Sequence, residues 1–165
     1  MRYVILTIIS FFCVVLQDTL FNDFSVAGGK PDFLLIIVVF FAIFNGPAKG
    51  GWLGLLLGLL EDLMLGRFIG VNALCKGIIG ALIGLFERRV YKNNFSVPIF
   101  ALFIGTFVNA ALYYVISRLI GSNIMFSGMM LSAIPNAIYN SCFAPLIYAI
   151  FYRWHSRNVI DGYLQ

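Results

Sequence analysis

The sequence predicts an all-α integral membrane protein with six transmembrane helices, glycine-rich helix packing and both termini in the cytoplasm. Three observations carry that prediction. Six apolar stretches fill nearly the whole chain, broken only by short clusters of Gly, Pro and charge. Lys and Arg fall mostly on alternate breaks, and glycines recur every fourth residue in the third and fourth stretches. Hydrophobic residues make up 61% of the 165 and charged ones 11%, against roughly 45–50% and ~25% in soluble domains. The mean hydropathy is +0.95. A single polytopic membrane domain over residues 1–165 therefore leaves no room for a separate water-soluble one.

A helix needs about 20 mainly apolar residues to cross the hydrocarbon core, because its backbone polar groups must be satisfied internally there. The spans fall at about 3–20, 31–44, 48–65, 71–86, 97–120 and 129–152. The first follows Arg2 and is expected to stay uncleaved, since no small-x-small site follows it. Phe11 and Phe12 before Cys13 do not suit lipoprotein processing. Cys13, Cys75 and Cys142 lie inside apolar segments without metal-type spacing, so they read as packing residues.

The second stretch, Phe33 to Phe44, is short for a crossing. Pro31 as a first helical residue adds a turn starting in the headgroup region; the alternative is a tilted, partly interfacial half of a hairpin. Asn45, Gly46 and Pro47 then read as a turn, giving two helices rather than one long one.

The third stretch places Gly50, Gly54, Gly58, Asp62, Gly66 and Gly70 four residues apart. At helical pitch Gly50 to Asp62 form one slowly drifting stripe on which another backbone can approach closely, and Gly66 and Gly70 are assigned to the same packing or partner interface. The fourth stretch carries Lys76, Gly80 and Gly84 at the same spacing, so the two stripes are expected to face each other across a hairpin. Glu61 or Asp62 then lies at the depth of Lys76, which makes an ion pair possible; the alternative is a Lys76 that snorkels outwards. A catalytic pair of carboxylates is disfavoured, because adjacent helical residues point about 100° apart.

On the fifth stretch Gly105, Asn109 and Tyr113 repeat at i, i+4 and i+8. On the sixth, Asn136, Tyr139, Asn140 and Phe143 form a polar and aromatic stripe. Both are read as interhelical hydrogen-bonding faces, with a cavity lining as the alternative. Pro135 and Pro145 should bend the last helix unless Pro135 falls in its first turn.

With the amino terminus inside, Arg2, Lys49, Arg88, Arg89, Lys92, Arg153 and Arg157 lie on the inner side, against Lys30, Arg67 and Arg118 outside. Seven against three satisfies the positive-inside rule. Asp18, Asp23, Asp32, Glu61 and Asp62 gather at or near the outer face. The net charge of +4 is then mostly a topology signal, and nucleic acid is excluded as a partner because no soluble basic surface exists. His155 sits in the basic tail, and no catalytic triad, nucleotide loop or metal cluster can be assembled. No cofactor and no enzymatic activity are expected.

In sequence order, the chain offers an apolar first helix ending in Leu16 and Gln17, then Lys30, Pro31 and Asp32 opening the second. Next comes the run GLLLGLLEDLMLGRFIGVNAL from Gly54 to Leu74. With Gly54, Gly58, Asp62, Gly66 and Gly70 at matching positions, this order resembles the rod shape-determining protein MreD family. Pro135, Asn136 and Asn140 fit more loosely, and Glu61 and Lys76 are not part of the pattern. The resemblance implies a non-catalytic inner-membrane subunit of the bacterial elongation machinery. Its partners would be an MreC-like protein and, indirectly, the MreB filament, RodA and a class B penicillin-binding protein. The inferred task is to help connect cytoplasmic filaments to lateral peptidoglycan synthesis. The rival reading is a carrier similar to the substrate-binding subunits of energy-coupling-factor importers, whose small-xxx-small stripe on the first helix is missing here.

Overall fold

The computed structural model describes residues 12, 17, 29–66, 68–86 and 96–163, which form five helices and no strand. They are α1 (Phe33–Asn45), α2 (Pro47–Leu65), α3 (Val71–Gly84), α4 (Ser96–Leu119) and α5 (Phe126–Tyr163). The expected first span lies outside the described residues except for Phe12 and Gln17. So do Arg2, Arg67, Arg88, Arg89 and Lys92, on which much of the orientation argument rests.

The second apolar stretch is the centre of the molecule. Every residue of α1 from Leu34 to Phe44 is buried, as expected of a helix that is hydrophobic on all sides. It touches α2, α3, α4 and α5. The helix begins at Phe33 rather than at Pro31, because the Asp32 side chain caps it by accepting from the Leu35 amide at 2.8 Å. Thirteen residues rise only about 20 Å, well short of the ~30 Å hydrocarbon core. Other helices, rather than lipid, surround this short segment. Phe33 meets Phe143 edge-on with centroids 5.1 Å apart, and Phe40 meets Tyr148 at 5.9 Å.

Gly46, at φ 87°, ends α1 with its amide donating to Ala42 O, and Pro47 opens α2 without an amide to satisfy. The turn expected at Asn45–Pro47 therefore separates two helices. α2 and α3 form the most intimate pair in the bundle. α4 ends in a tight cap, where Gly121 (φ 88°) and Ser122 donate to Arg118 O and Ser117 O. α5 runs through both Pro135 and Pro145 as one helix of 38 residues, longer at each end than the expected span.

The distribution of polarity is inverted relative to a water-soluble bundle. Glu61, Asp62, Lys76, Thr106, Ser117 and Asn140 are buried, while large apolar side chains point outwards, among them Trp52 (69% exposed), Phe100 (65%) and Leu146 (65%). Water would penalise so much exposed apolar surface, whereas a bilayer accommodates it. Among the described residues, one helix is long and apolar enough by itself to cross a membrane: Val97–Leu119, with a mean hydropathy of 2.0.

Candidate functional site

The glycine stripes of α2 and α3 lie against each other, backbone to backbone. A Cβ built on Gly54 would fall 2.6 Å from the Lys76 carbonyl carbon and 2.9 Å from the Gly77 nitrogen. One on Gly58 would meet the Ala73 Cα at 2.6 Å, and one on Gly80 the Gly50 carbonyl carbon at 2.7 Å. Gly50 also faces α1, where an added Cβ would fall 2.5 Å from that of Ala42, and Gly84 lies over the start of α2, where an added Cβ would fall 2.5 Å from the Pro47 Cα. Only hydrogen at these positions lets the two helices approach so closely. Gly77 belongs to the same seam, against Leu55, although the four-residue spacing did not single it out.

Gly66 and Gly70 do not extend this seam, contrary to expectation. They have φ of 63° and 102°, and nothing lies within 4 Å of a Cβ built on either. Gly66 terminates α2 in the left-handed conformation and Gly70 is the N-cap of α3, so their role is to turn the chain.

The close approach brings the charged groups of the hairpin together. Lys76 is 1% exposed, and its Nζ donates to Glu61 Oε2 at 2.5 Å and to Asp32 Oδ2 at 2.9 Å. Of the two carboxylates proposed as its partner, Glu61 is the one. Asp32, whose place in the pair was not foreseen, comes from the cap of α1. Lys76 thus joins α1, α2 and α3 through one ammonium.

Asp62 points roughly a quarter-turn away and performs a different task. Its Oδ2 accepts from the amides of Gly70 (2.8 Å) and Ala73 (3.1 Å), and its Oδ1 from the amide (3.2 Å) and Nδ2 (2.9 Å) of Asn72. The first amides of any helix lack intrahelical acceptors. Gly70, as N-cap, has no side chain to supply one, so Asp62 caps α3 from the preceding helix. Asp62 is therefore a helix cap, not a member of the packing seam.

A second set of polar contacts anchors the start of α1 to α5. Asn136 Oδ1 accepts from the Lys30 amide at 2.6 Å and Asn140 Oδ1 from the Asp32 amide at 2.7 Å. Asn140 Nδ2 donates to Thr106 Oγ1 at 3.1 Å, which donates in turn to Leu102 O at 2.9 Å. Gln17 Oε1 accepts from the Phe33 amide at 3.1 Å. Gly29 presses on Pro135 so closely that a Cβ there would lie 2.8 Å from the proline Cβ. A continuous chain of contacts therefore runs from Thr106 on α4 through Asn140 and Asp32 to Lys76 and Glu61.

The remaining predicted residues lie beside this chain. Asn109 and Tyr113 line a cavity of about 170 Å³ between α1, α4 and α5. Tyr139 is half-buried on α5. Cys75 is buried on α3 and Cys142 is exposed on α5; Cys13 lies outside the described residues. Among the described residues, no three His, Cys, Asp or Glu side chains gather as a metal site would require. Glu61 faces Lys76 and Asp62 faces backbone amides, while Asp32, which also contacts Lys76, borders the cavity.

Exposed apolar faces, sequestered ion pairs and a glycine seam define a helical membrane protein. Residues 1–157 match the family described as rod shape-determining protein MreD, and the chain belongs to that family. It is accordingly a membrane protein with a role in determining rod shape. No curated protein and no solved structure matched the chain.

Proposed function

We propose that this chain is a non-catalytic, multi-pass subunit of the bacterial inner membrane, with six spans and both termini cytoplasmic. It couples an MreC-like protein, and through it the MreB filament, to lateral peptidoglycan synthesis by RodA and a class B penicillin-binding protein. The supporting observation is the inversion of polarity: Glu61, Asp62 and Lys76 are buried, while large apolar side chains cover much of the outward helix surface. In lipid such surfaces associate by packing.

The glycines of α2 and α3 are occupied by each other, so partner contacts fall to the outward faces instead. On α2 these comprise Trp52, Leu56, Leu59 and Leu63, spaced to form one stripe. Substituting Leu56→Trp, which reshapes the stripe without placing a charge in lipid, tests the reading. The variant should accumulate and melt like the unaltered protein, co-purify less MreC-like partner and fail to restore rod shape in cells lacking the native gene. Normal co-purification and normal shape from this variant and from equivalents on α4 and α5 would defeat the packing mechanism.

A further inference from the structure

The cavity of about 170 Å³ lies at the end of the bundle where α1 begins, and its walls include Asp32, Thr106, Asn109, Ser132 and Asn136. The hydrogen bonds of these residues give it a defined chemical sign. The Thr106 hydroxyl donates to Leu102 O and that of Ser132 to Met129 O, at 2.9 Å each. Their protons are directed into the helix backbones; Ser132 keeps its lone pairs for the cavity, and Thr106 keeps the one that Asn140 Nδ2 does not take. Asp32 is a carboxylate with two oxygens and several lone-pair positions, of which the Leu35 amide and Lys76 take one each. Asn109 Oδ1 is buried and meets no donor among the described residues. Buried amide oxygens are rarely left so.

Formal charge points the same way. Asp32 and Glu61 share the single ammonium of Lys76, so Asp32, the member that lines the cavity, has no counter-ion to itself in that pair. Tyr113 and the Asn amide groups also bring donors to this wall, but a carboxylate beside the unpaired Asn109 oxygen and the Ser132 hydroxyl favours a cation that carries several N–H donors. The volume equals that of about five or six waters at ~30 Å³ each, enough for a slender aminoethyl arm and too small for a nucleotide.

We propose that this cavity binds a primary ammonium group, with Asp32 as counter-ion and Asn109, Ser132 and Thr106 as hydrogen-bond acceptors. Two sources present that chemistry: the headgroup of phosphatidylethanolamine, and a water-soluble primary amine. The site is independent of the partner-binding role proposed above, and its failure would leave that role standing.

The test uses the full chain in nanodiscs and in detergent. Native mass spectrometry reads which lipids are retained from mixtures of phosphatidylethanolamine, phosphatidylcholine and phosphatidylglycerol, and isothermal titration with ethanolamine reads the soluble source. Preferential retention of phosphatidylethanolamine, or saturable binding of ethanolamine, is the expected result, and the arm that responds identifies the source. Asn109→Leu, close in volume, should weaken binding about tenfold through loss of an acceptor to a charged donor. Asn109→Asp should strengthen it, a change that a folding defect cannot produce. Equal retention of phosphatidylcholine, whose quaternary nitrogen has no N–H, would overturn the proposal. So would indifference to both Asn109 substitutions, or no binding in either arm.

Discussion

Replacing Lys76 by Met keeps a long, unbranched side chain in the seam and removes the charge that holds three helices together. Asp32 Oδ2 and Glu61 Oε2 lie 2.9 and 2.5 Å from the same nitrogen, so they are at most 5.4 Å apart. At an effective dielectric of about 20, two like charges at that distance repel by ~3 kcal/mol. Breaking a buried pair by removing one partner costs about 3–5 kcal/mol in proteins generally, because the charge left behind is desolvated and uncompensated. Lys76→Met should therefore lower the unfolding free energy by about 3–5 kcal/mol, read by reversible unfolding in mixed micelles. Adding Glu61→Gln removes the repulsion and should recover about 2 kcal/mol or more of that loss, since an ion-free core is often as stable as an ion-paired one. A loss below ~1 kcal/mol for Lys76→Met, or a double variant no better than the single one, would refute the reasoning.

The other groups give smaller, separable effects. Asp62→Leu strips the acceptor from three amides at the start of α3; it should cost about 2 kcal/mol and speed hydrogen exchange at Gly70–Ala73, with Asp62→Asn milder. Gly54→Ala forces the α2 and α3 backbones apart by about 1 Å and should cost ~1–3 kcal/mol in the same unfolding assay. Gly66→Ala clashes with nothing and bears only the strain of φ 63°, so it should cost ~1 kcal/mol. An order in which Gly66→Ala is the worse of the two would contradict the separation of seam from turn.

What the sequence reveals is whatever depends on neighbours along one helix. The four-residue spacing of Gly50, Gly54 and Gly58, and that of Lys76, Gly80 and Gly84, points to the pair of helices that pack. The shared depth of Glu61, Asp62 and Lys76 points to an ion pair without choosing between the two carboxylates. The same spacing misleads at Gly66 and Gly70, because period alone does not distinguish a glycine that admits a backbone from one that adopts positive φ. The 100° between successive residues already implied that Glu61 and Asp62 serve different partners, but not that Asp62 caps α3.

Non-local contacts were the least legible. Asn136 and Asn140 stood out as a polar stripe, yet their partners are amides 106 and 108 residues away, ahead of α1. Asp32 before an apolar run is an N-cap signal, and capping places its second oxygen at Lys76. The shortness of Phe33–Phe44 had a physical meaning that composition hides: a helix enclosed by other helices need not match the bilayer.

The central claim is that partners meet outward apolar faces while the glycine seam stays internal. Photo-crosslinking in living cells tests it most directly, with a benzophenone side chain placed in turn at Trp52, Leu56, Phe100, Ile134 and Leu146, all exposed. At least one position should yield an adduct with the MreC-like protein. Adducts with lipid alone at every position, in cells that keep their rod shape, would contradict it.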